Sequence, residues 1–191
     1  MNLHDFADRK AIPYGVYDLS ANAGCVNVGE DHDTAAFAVE RIRRWWYSMG
    51  QSAYPQATRL LISADCGGSN GNQSRLWKWE LQRLADETGL ILEVCHLPPG
   101  TSKWNKIEHR MFSAISQNRR GQPLLNYTTV VQLIGSTRTR TGLTVKAQRD
   151  TGVYPTGIRI SNWQMAQIHL QKAEFHGKWN YTISPSEARN T

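Results

Sequence analysis

The stretch "TRLLISADCGGSNGNQSRLWKWELQRLADETGLILEVCHL", residues Thr58–Leu97, decides the fold class. It begins with a short apolar run, "LLISAD", which predicts a buried strand that ends at Asp65. A glycine-rich loop follows, and the apolar spacing of "SRLWKWELQRLADETG" predicts a helix that ends at Gly89. The apolar run "LILEVCHL" predicts a further buried strand. A helix between two strands favours a parallel strand pair in an α/β sheet.

The segments on either side extend this pattern. The runs "AIPYGVYDLS" and "CVNVGE" predict a β-hairpin, with Asn22 and Gly24 in its turn. Residues 31–50 predict a helix that Asp33 or Thr34 caps and Gly50 ends. Its arginines are expected to face solvent; they are Arg41, Arg43 and Arg44. The run "KIEHRMFSAISQNRR" predicts a further helix.

The element order is therefore β-β-α-β-α-β-α, which predicts an α/β fold with one mixed central sheet flanked by helices. After it the chain is less regular. Residues 127–142 begin as a helix, and the run "TRTRTGLTVKAQRD" is polar and basic. No linker composition separates the two parts, so we expect residues 1–150 to form one domain and residues 151–191 a C-terminal extension of it.

The composition narrows the class of protein. The chain has 191 residues, 40% hydrophobic and 20% charged, as in soluble globular domains. No apolar run approaches the roughly 20 residues that span a bilayer, and the first residues lack the apolar core of a signal peptide, so a cytoplasmic protein is expected. Three cysteines without a C-x-x-C pair indicate buried reduced thiols, not a zinc site or a disulfide framework. A net charge of +6 favours an anionic partner such as nucleic acid.

Two carboxylates stand where the predicted elements begin and end. Asp65 closes the first strand of the quoted stretch, and functional groups gather at the carboxyl ends of strands in α/β sheets. Its structural alternative is a turn in which the carboxylate accepts loop N–H groups. Glu108 lies in the first turn of the helix after "LPPGTSKWN", where a carboxylate also complements the helix dipole. If the two strands are parallel, both carboxylates reach the same sheet edge and face one cleft.

Paired carboxylates in basic surroundings suit phosphoryl transfer with two metal ions, and their hard oxygen ligands suit Mg²⁺ or Mn²⁺. Basic residues around and after Glu108 would then hold DNA phosphates, and binding would weaken with salt. The alternative is a merely solvated basic surface. The residues expected to contact phosphate are Lys103, Lys106, Arg110, Arg119, Arg120, Arg138 and Arg140, followed by Lys146 and Arg149.

The stretches "LLISADCGGSNG" and "HLPPGTSKWNKIEHRMF" resemble DDE transposases. The latter is similar to the L-P-P-x-[ST]-P-x-L-N-P-I-E block of the Tc1/mariner-like superfamily, and nearly the whole chain resembles the ISAzo-type bacterial insertion-sequence transposases. The resemblance implies an RNase H-like fold, metal-dependent DNA cleavage and strand transfer, and a two-metal Mg²⁺ or Mn²⁺ site. It implies that Asp65 is the second acidic ligand and Glu108 the third. It further implies terminal-repeat and target DNA as partners, a homo-oligomer on DNA, and a nucleoid-associated protein of the bacterial cytoplasm.

The first acidic ligand of the family lies on the strand before the hairpin. Asp18, in "GVYDL", lies within the hairpin, so we interpret it as a hairpin residue. The chain is then expected to be the C-terminal part of a transposase, to lack the first strand, and to be inactive alone. The opposing interpretation takes Asp18 as the first ligand. Two other functions stay open, namely an inactive DNA-binding transposase remnant and an unrelated metal-dependent nuclease.

Overall fold

The structure is a computed structural model that describes residues 11–30, 32–122 and 126–186. The described residues group into two compact units. The first unit comprises those of Met1–Asp33 and Lys103–Tyr154, and the second those of Thr34–Ser102 and Pro155–Thr191. The expected domain boundary after residue 150 stays a prediction. None of the helices in these ranges is both long and apolar enough to cross a membrane.

The secondary structure alternates between strands and helices, as predicted. The strands are β1 (Ile12–Asp18), β2 (Ala23–Gly29), β3 (Arg59–Asp65), β4 (Ile91–Leu97), β5 (Thr144–Asp150), β6 (Leu170–Lys172) and β7 (Asn180–Ile183). The helices are α1 (Ala35–Trp45), α2 (Gln51–Ala53), α3 (Arg75–Thr88), α4 (Ser113–Asn118), α5 (Tyr127–Gly135) and α6 (Asn162–Ala166). Two π-helical turns, Trp46–Gly50 and Glu108–Phe112, precede α2 and α4.

The described strands form two mixed sheets, where one central sheet was predicted. The order is β1-β2-β5 in the first unit and β3-β4-β7-β6 in the second. The single-sheet prediction fails because the open edge of β2 pairs in parallel with β5, a strand that the sequence did not indicate. Mixed α/β architecture, with helices flanking the sheets, is confirmed.

The hairpin of the first unit is confirmed. β1 and β2 are antiparallel, and Asn22 takes the left-handed conformation in the turn, with φ 50°. Gly24 lies inside β2, not in the turn, for a packing reason. A Cβ atom at Gly15 or Gly24 would overlap the side chain of Met111, which is fully buried. The absence of side chains at these two glycines therefore leaves the space into which Met111, of the turn Glu108–Phe112, packs.

The second sheet is built from the quoted stretch. β3 and β4 are parallel, as predicted, with Asp65 opposite Leu97 at their carboxyl ends. β3 is not buried, however: Leu61 is 65% exposed. The reason is that β3 is an edge strand, with β4 as its only strand partner among the described residues. The prediction of a buried strand is correct for β4, where Leu92 and Val94 are buried.

α3 ends where predicted, whereas α1 begins where predicted, with the Thr34 side chain accepting the Phe37 N–H, but does not end where predicted. Ser74 caps α3 and Gly89 ends it in the left-handed conformation, with φ 72°. Gly50 does not end its helix, because the helical run continues to Ala53. A Cβ atom at Gly50 would lie 2.7 Å from the Trp46 ring, so close packing explains this glycine.

The prediction that all three arginines of α1 face solvent is wrong for Arg41. Its side chain is fully buried, its Nε donates to the Phe37 carbonyl at 3.3 Å, and its guanidinium lies over the Phe37 ring. Arg43 and Arg44 form ion pairs with Glu40 on the helix surface.

The prediction of buried cysteines is correct for Cys25 alone, since Cys66 is half-buried and Cys95 is exposed. The burial of Arg41 and the exposure of Cys95 depend on tertiary packing, which local sequence patterns do not encode.

Candidate functional site

Asp65 is an exposed side chain at the carboxyl end of β3. The loop after it turns through Gly68, at φ 62°, into a 3₁₀ turn that ends at Asn70. The Asn70 side-chain amide donates to Asp65 Oδ1 at 2.7 Å. The turn alternative required loop backbone N–H groups as donors. The donor observed is instead the side chain of Asn70. This amide orients a carboxylate that solvent, a cation or a substrate can reach.

A buried chain of hydrogen bonds holds the backbone beneath this carboxylate. Trp77 Nε1 donates to the Tyr181 hydroxyl at 2.9 Å, and this hydroxyl lies 3.0 Å from His96 Nε2. His96 Nδ1 in turn lies 3.1 Å from the Asp65 carbonyl oxygen. A carbonyl oxygen can only accept, so Nδ1–H of His96 donates to it; Nε2 of the neutral ring then accepts, and the Tyr181 hydroxyl donates to it. The network therefore assigns one tautomer to His96 and links β3 to α3, β4 and β7.

Burial keeps this network neutral. Trp77 is 0% exposed, Tyr181 3% and His96 4%. Burial lowers the pKa of His96 below its usual value, because the charged imidazolium loses its hydration there. Burial also raises the pKa of Tyr181 above its usual value. Both nitrogens of His96 are occupied, so this residue fixes the end of β3 and does not present a lone pair to a ligand.

The donors around Asp65 are suited to a hard cation. The Asp65 carboxylate presents oxygen, the element that Mg²⁺ and Mn²⁺ prefer, whereas the Asn70 amide oxygen accepts the Ser69 hydroxyl at 3.3 Å. The neighbouring thiol of Cys66 has a pKa raised first by burial and then by the Asp65 charge, so it stays protonated and is a poor soft-metal ligand. In the parts of the chain that the structure describes, no group of three or more His, Cys, Asp and Glu side chains could hold a metal ion.

Glu108 belongs to the first unit, where it begins the π-helical turn Glu108–Phe112. Its carbonyl accepts the N–H of Ser113, five residues on, and its side chain is exposed. Met111 belongs to the same turn and packs against Gly15 and Gly24 of the hairpin. This packing holds the turn that begins at Glu108 against the hairpin. Asp65 belongs to the other unit, so the expectation that the two carboxylates share one cleft stays a prediction.

Asp18 ends β1 and shapes the hairpin turn. Its Oδ1 accepts the backbone N–H groups of Ser20 and Ala21, both at 3.0 Å. This is the arrangement in which an aspartate stabilises a turn through its own side chain. The geometry agrees with the interpretation of Asp18 as a hairpin residue.

The segment from Lys103 to Arg149 concentrates positive charge, with nine lysines and arginines and one acidic residue, Glu108. Arg149 pairs with Glu30, and the guanidinium of Arg138 donates to the carbonyls of Gly135 and Thr137. Among the described residues, the others form no ion pair with an acidic side chain. They are Lys103, Lys106, Arg110, Arg119, Arg120, Arg140 and Lys146. All of these except the half-buried Arg119 are exposed, so their charges are available to an anion.

The hydrogen-bond network beneath Asp65 was missed from sequence. Its three side chains lie far apart in the chain, and only the histidine in the apolar run "VCHL" hinted at a buried polar group.

Comparison with known proteins supports the resemblance noted from the sequence. A family model described as the Rhodopirellula transposase DDE domain matches residues 1–185 of the 191. No curated protein and no solved structure matches the chain. The match spans both compact units and includes both Asp65 and Glu108. The chain therefore belongs to the DDE transposase domains of the ISAZ013 type.

Proposed function

We propose that this chain takes part in metal-dependent cleavage and transfer of DNA strands during transposition of an insertion sequence. Asp65 and Glu108 serve as metal-binding carboxylates in this proposal. The observation that supports it most is the placement of Asp65 at the end of a parallel strand. Its carboxylate is exposed, and its backbone carbonyl is held by a buried, neutral hydrogen-bond network. Membership of a DDE transposase family supports the same chemistry.

The chain's own residues have distinct roles in this chemistry. Asp65 and Glu108 would hold Mg²⁺ or Mn²⁺, and Asn70 orients the Asp65 carboxylate by donating to Oδ1. When bound, such ions activate the attacking oxygen and stabilise the leaving oxygen of a phosphoryl transfer. His96 is a positioning residue, because it hydrogen-bonds to the backbone carbonyl of Asp65 and does not touch the reacting atoms.

Contact with DNA is assigned to the basic segment that contains Glu108. Apart from Arg149, its cations lack acidic partners among the described residues, so phosphate can pair with them and release counterions. Terminal-repeat and target DNA are the proposed partners, bound by a homo-oligomer of this chain. The proposed location is the bacterial cytoplasm, on the nucleoid.

Cleavage of DNA that carries the ends of the element tests this proposal. Purified chain that cuts this DNA with Mg²⁺ or Mn²⁺, and loses cutting as Asp65→Asn or Glu108→Gln, would support the proposal and would contradict the expectation from sequence that the chain is inactive alone. The matched control is Glu93→Gln, which neutralises a carboxylate that pairs with Arg59 on the same sheet. Titration calorimetry with Mn²⁺ supplies another readout, in which the two site variants lose heat of binding and the control does not.

The outcomes separate the alternative functions. Cutting without joining of the cut end to target DNA would indicate a metal-dependent nuclease. Salt-sensitive DNA binding without cutting in either metal would indicate a DNA-binding remnant, an outcome that the unpaired basic residues also accommodate. Cutting that survives both carboxylate substitutions would overturn the assignment of the site.

A further inference from the structure

The turn between β6 and β7, residues 173–179, carries three aromatic rings, and we call it the aromatic tip. It lies at the edge of the sheet where Asp65 lies, for a topological reason. β3 and β4 are parallel and end at that edge, whereas β7 is antiparallel to β4 and begins there. The His96 N–H donates to the Trp179 carbonyl at 2.9 Å, and the Asn72 side chain donates to the Lys178 carbonyl at 3.4 Å. The tip is therefore joined both to β4 and to the loop that follows Asp65.

Two of the three rings, Phe175 and His176, are exposed, and Trp179 is half-buried. Phe175 is 74% exposed. Its ring is edge-on to the ring of His176, with centroids 4.2 Å apart. His176 stacks on Trp179 at 5.6 Å and an interplanar angle of 29°. Single exposed apolar side chains need no explanation, but contiguous exposed rings in one turn indicate a binding surface.

Internal contacts hold the tip in one conformation. The Asn180 side chain donates to the Phe175 carbonyl at 3.0 Å, and the Trp179 N–H donates to the His176 carbonyl at 2.8 Å. A Cβ atom at Gly177 would lie 2.5 Å from the Ala173 carbonyl oxygen, so only glycine fits the turn. A surface ordered before binding loses less conformational entropy when a ligand arrives.

Positive charge surrounds the rings. Lys172 directly precedes the tip and Lys178 lies within it, both exposed, and Glu174 is its single acidic residue. Lys78 lies over the Tyr181 ring at 5.7 Å. Burial lowers its pKa first, and the positive charge of Lys172 lowers this pKa further. Aromatic faces interleaved with lysines are the combination with which proteins bind unpaired bases and the phosphates beside them.

We propose that the aromatic tip stacks on an unpaired base of the DNA strand whose phosphate is held at Asp65. The inference rests on the proposed function and adds a binding site to it. β7 is two strands from β3, which is about 10 Å along the sheet edge at the usual strand spacing. That distance equals about three nucleotide rises of a DNA strand. The stacked base is therefore expected within about four nucleotides of the cleaved phosphate.

Two substitutions at one position isolate the ring face. Phe175→Leu keeps an apolar side chain but removes the aromatic face, whereas Phe175→Tyr keeps the face. Binding is measured by fluorescence anisotropy on element-end duplex and on the same DNA with four unpaired nucleotides at the cleavage site. Loss of one base–ring stack weakens binding about 5- to 150-fold. We expect this loss for Phe175→Leu on the unpaired substrate only, and less than about a twofold change for Phe175→Tyr on either substrate.

Photocrosslinking locates the contact directly. Oligonucleotides with 5-bromodeoxyuridine at each of the four positions are irradiated with the wild-type chain and digested with trypsin. We expect the crosslink in the peptide of residues 173–178 or the next one, which begins at Trp179.

Four results would overturn the inference. Crosslinks elsewhere, or equal losses on duplex and unpaired DNA, would do so while the carboxylate assignments stand. A change in sedimentation of Phe175→Leu without a change in DNA affinity would show instead that the tip joins two copies of the chain. A wild-type chain that neither binds nor cuts DNA would remove the proposed function and this inference together.

Discussion

Removing one oxygen atom from the buried network should cost far more than an ordinary surface hydrogen bond. Tyr181→Phe deletes the hydroxyl that accepts from Trp77 Nε1 and donates to His96 Nε2. Trp77 Nε1 and His96 Nε2 are then left without a hydrogen bond, in side chains that are 0% and 4% exposed. Each buried polar group without a partner costs about 1–3 kcal/mol, so the two together cost about 2–6 kcal/mol. Domains of this kind have a total free energy of unfolding of about 5–15 kcal/mol, so the loss is large.

The matched control is Tyr17→Phe, the same chemical change in the first unit. The Tyr17 hydroxyl donates to the Asn22 side chain at 2.7 Å, at a site that water reaches. Its loss should cost about 0.5–1.5 kcal/mol, since the asparagine then bonds to water. Urea unfolding followed by near-ultraviolet circular dichroism gives both free energies by linear extrapolation. Equal destabilisation by the two substitutions, or less than about 1 kcal/mol for Tyr181→Phe, would refute the hydrogen-bond assignment given above.

Three further predictions concern titration, charge and packing. Because the folded chain holds His96 with a pKa below about 6.5, the unfolded chain binds this proton more readily. The free energy of unfolding should thus fall as pH drops below about 6.5, level off below the lowered pKa, and lose this step in His96→Asn. Arg110→Gln should reduce the slope of log affinity for DNA against log salt by about 0.7–0.9, whereas Arg59→Gln, which removes an ion-paired charge, should leave it unchanged in the same salt series. Gly24→Ala should lower the free energy of unfolding by about 1–3 kcal/mol through overpacking, while Gly67→Ala, with nothing near its Cβ position, should be neutral in the same thermal or urea titration.

Sequence reasoning worked where the decisive contacts are local. The strand-helix-strand stretch could be predicted because each of its elements carries its own periodicity and end signals. Gly89 ends α3 as expected, and the parallel pairing of β3 with β4 follows from the crossover between them. The position of Asp65 at the end of a strand could be predicted for the same reason. The exposure of its side chain was expected only because a carboxylate at a strand end suits a functional site. The apolar pattern of the strand did not predict it.

Sequence reasoning failed where distant segments meet. β5 was missed because few side chains of "TVKAQRD" are buried, and its polar outer face hides the strand. β3 was taken as a buried strand because its apolar composition does not reveal that one edge has no partner in the described chain. The Trp77–Tyr181–His96 network could not be predicted, because residues from three elements meet only after the second sheet has formed.

The way the chain divides between the two units has a consequence for biosynthesis. The backbone passes from one unit to the other after residues 33, 102 and 154, so each unit is assembled from separate segments. β2 has to wait for β5, more than a hundred residues later, and β4 for β7. Neither unit can therefore be completed on the ribosome as soon as its first segment emerges. Such long sequence separations slow folding, so nascent chains should remain dependent on chaperones until the segment around Ile183 has been synthesised.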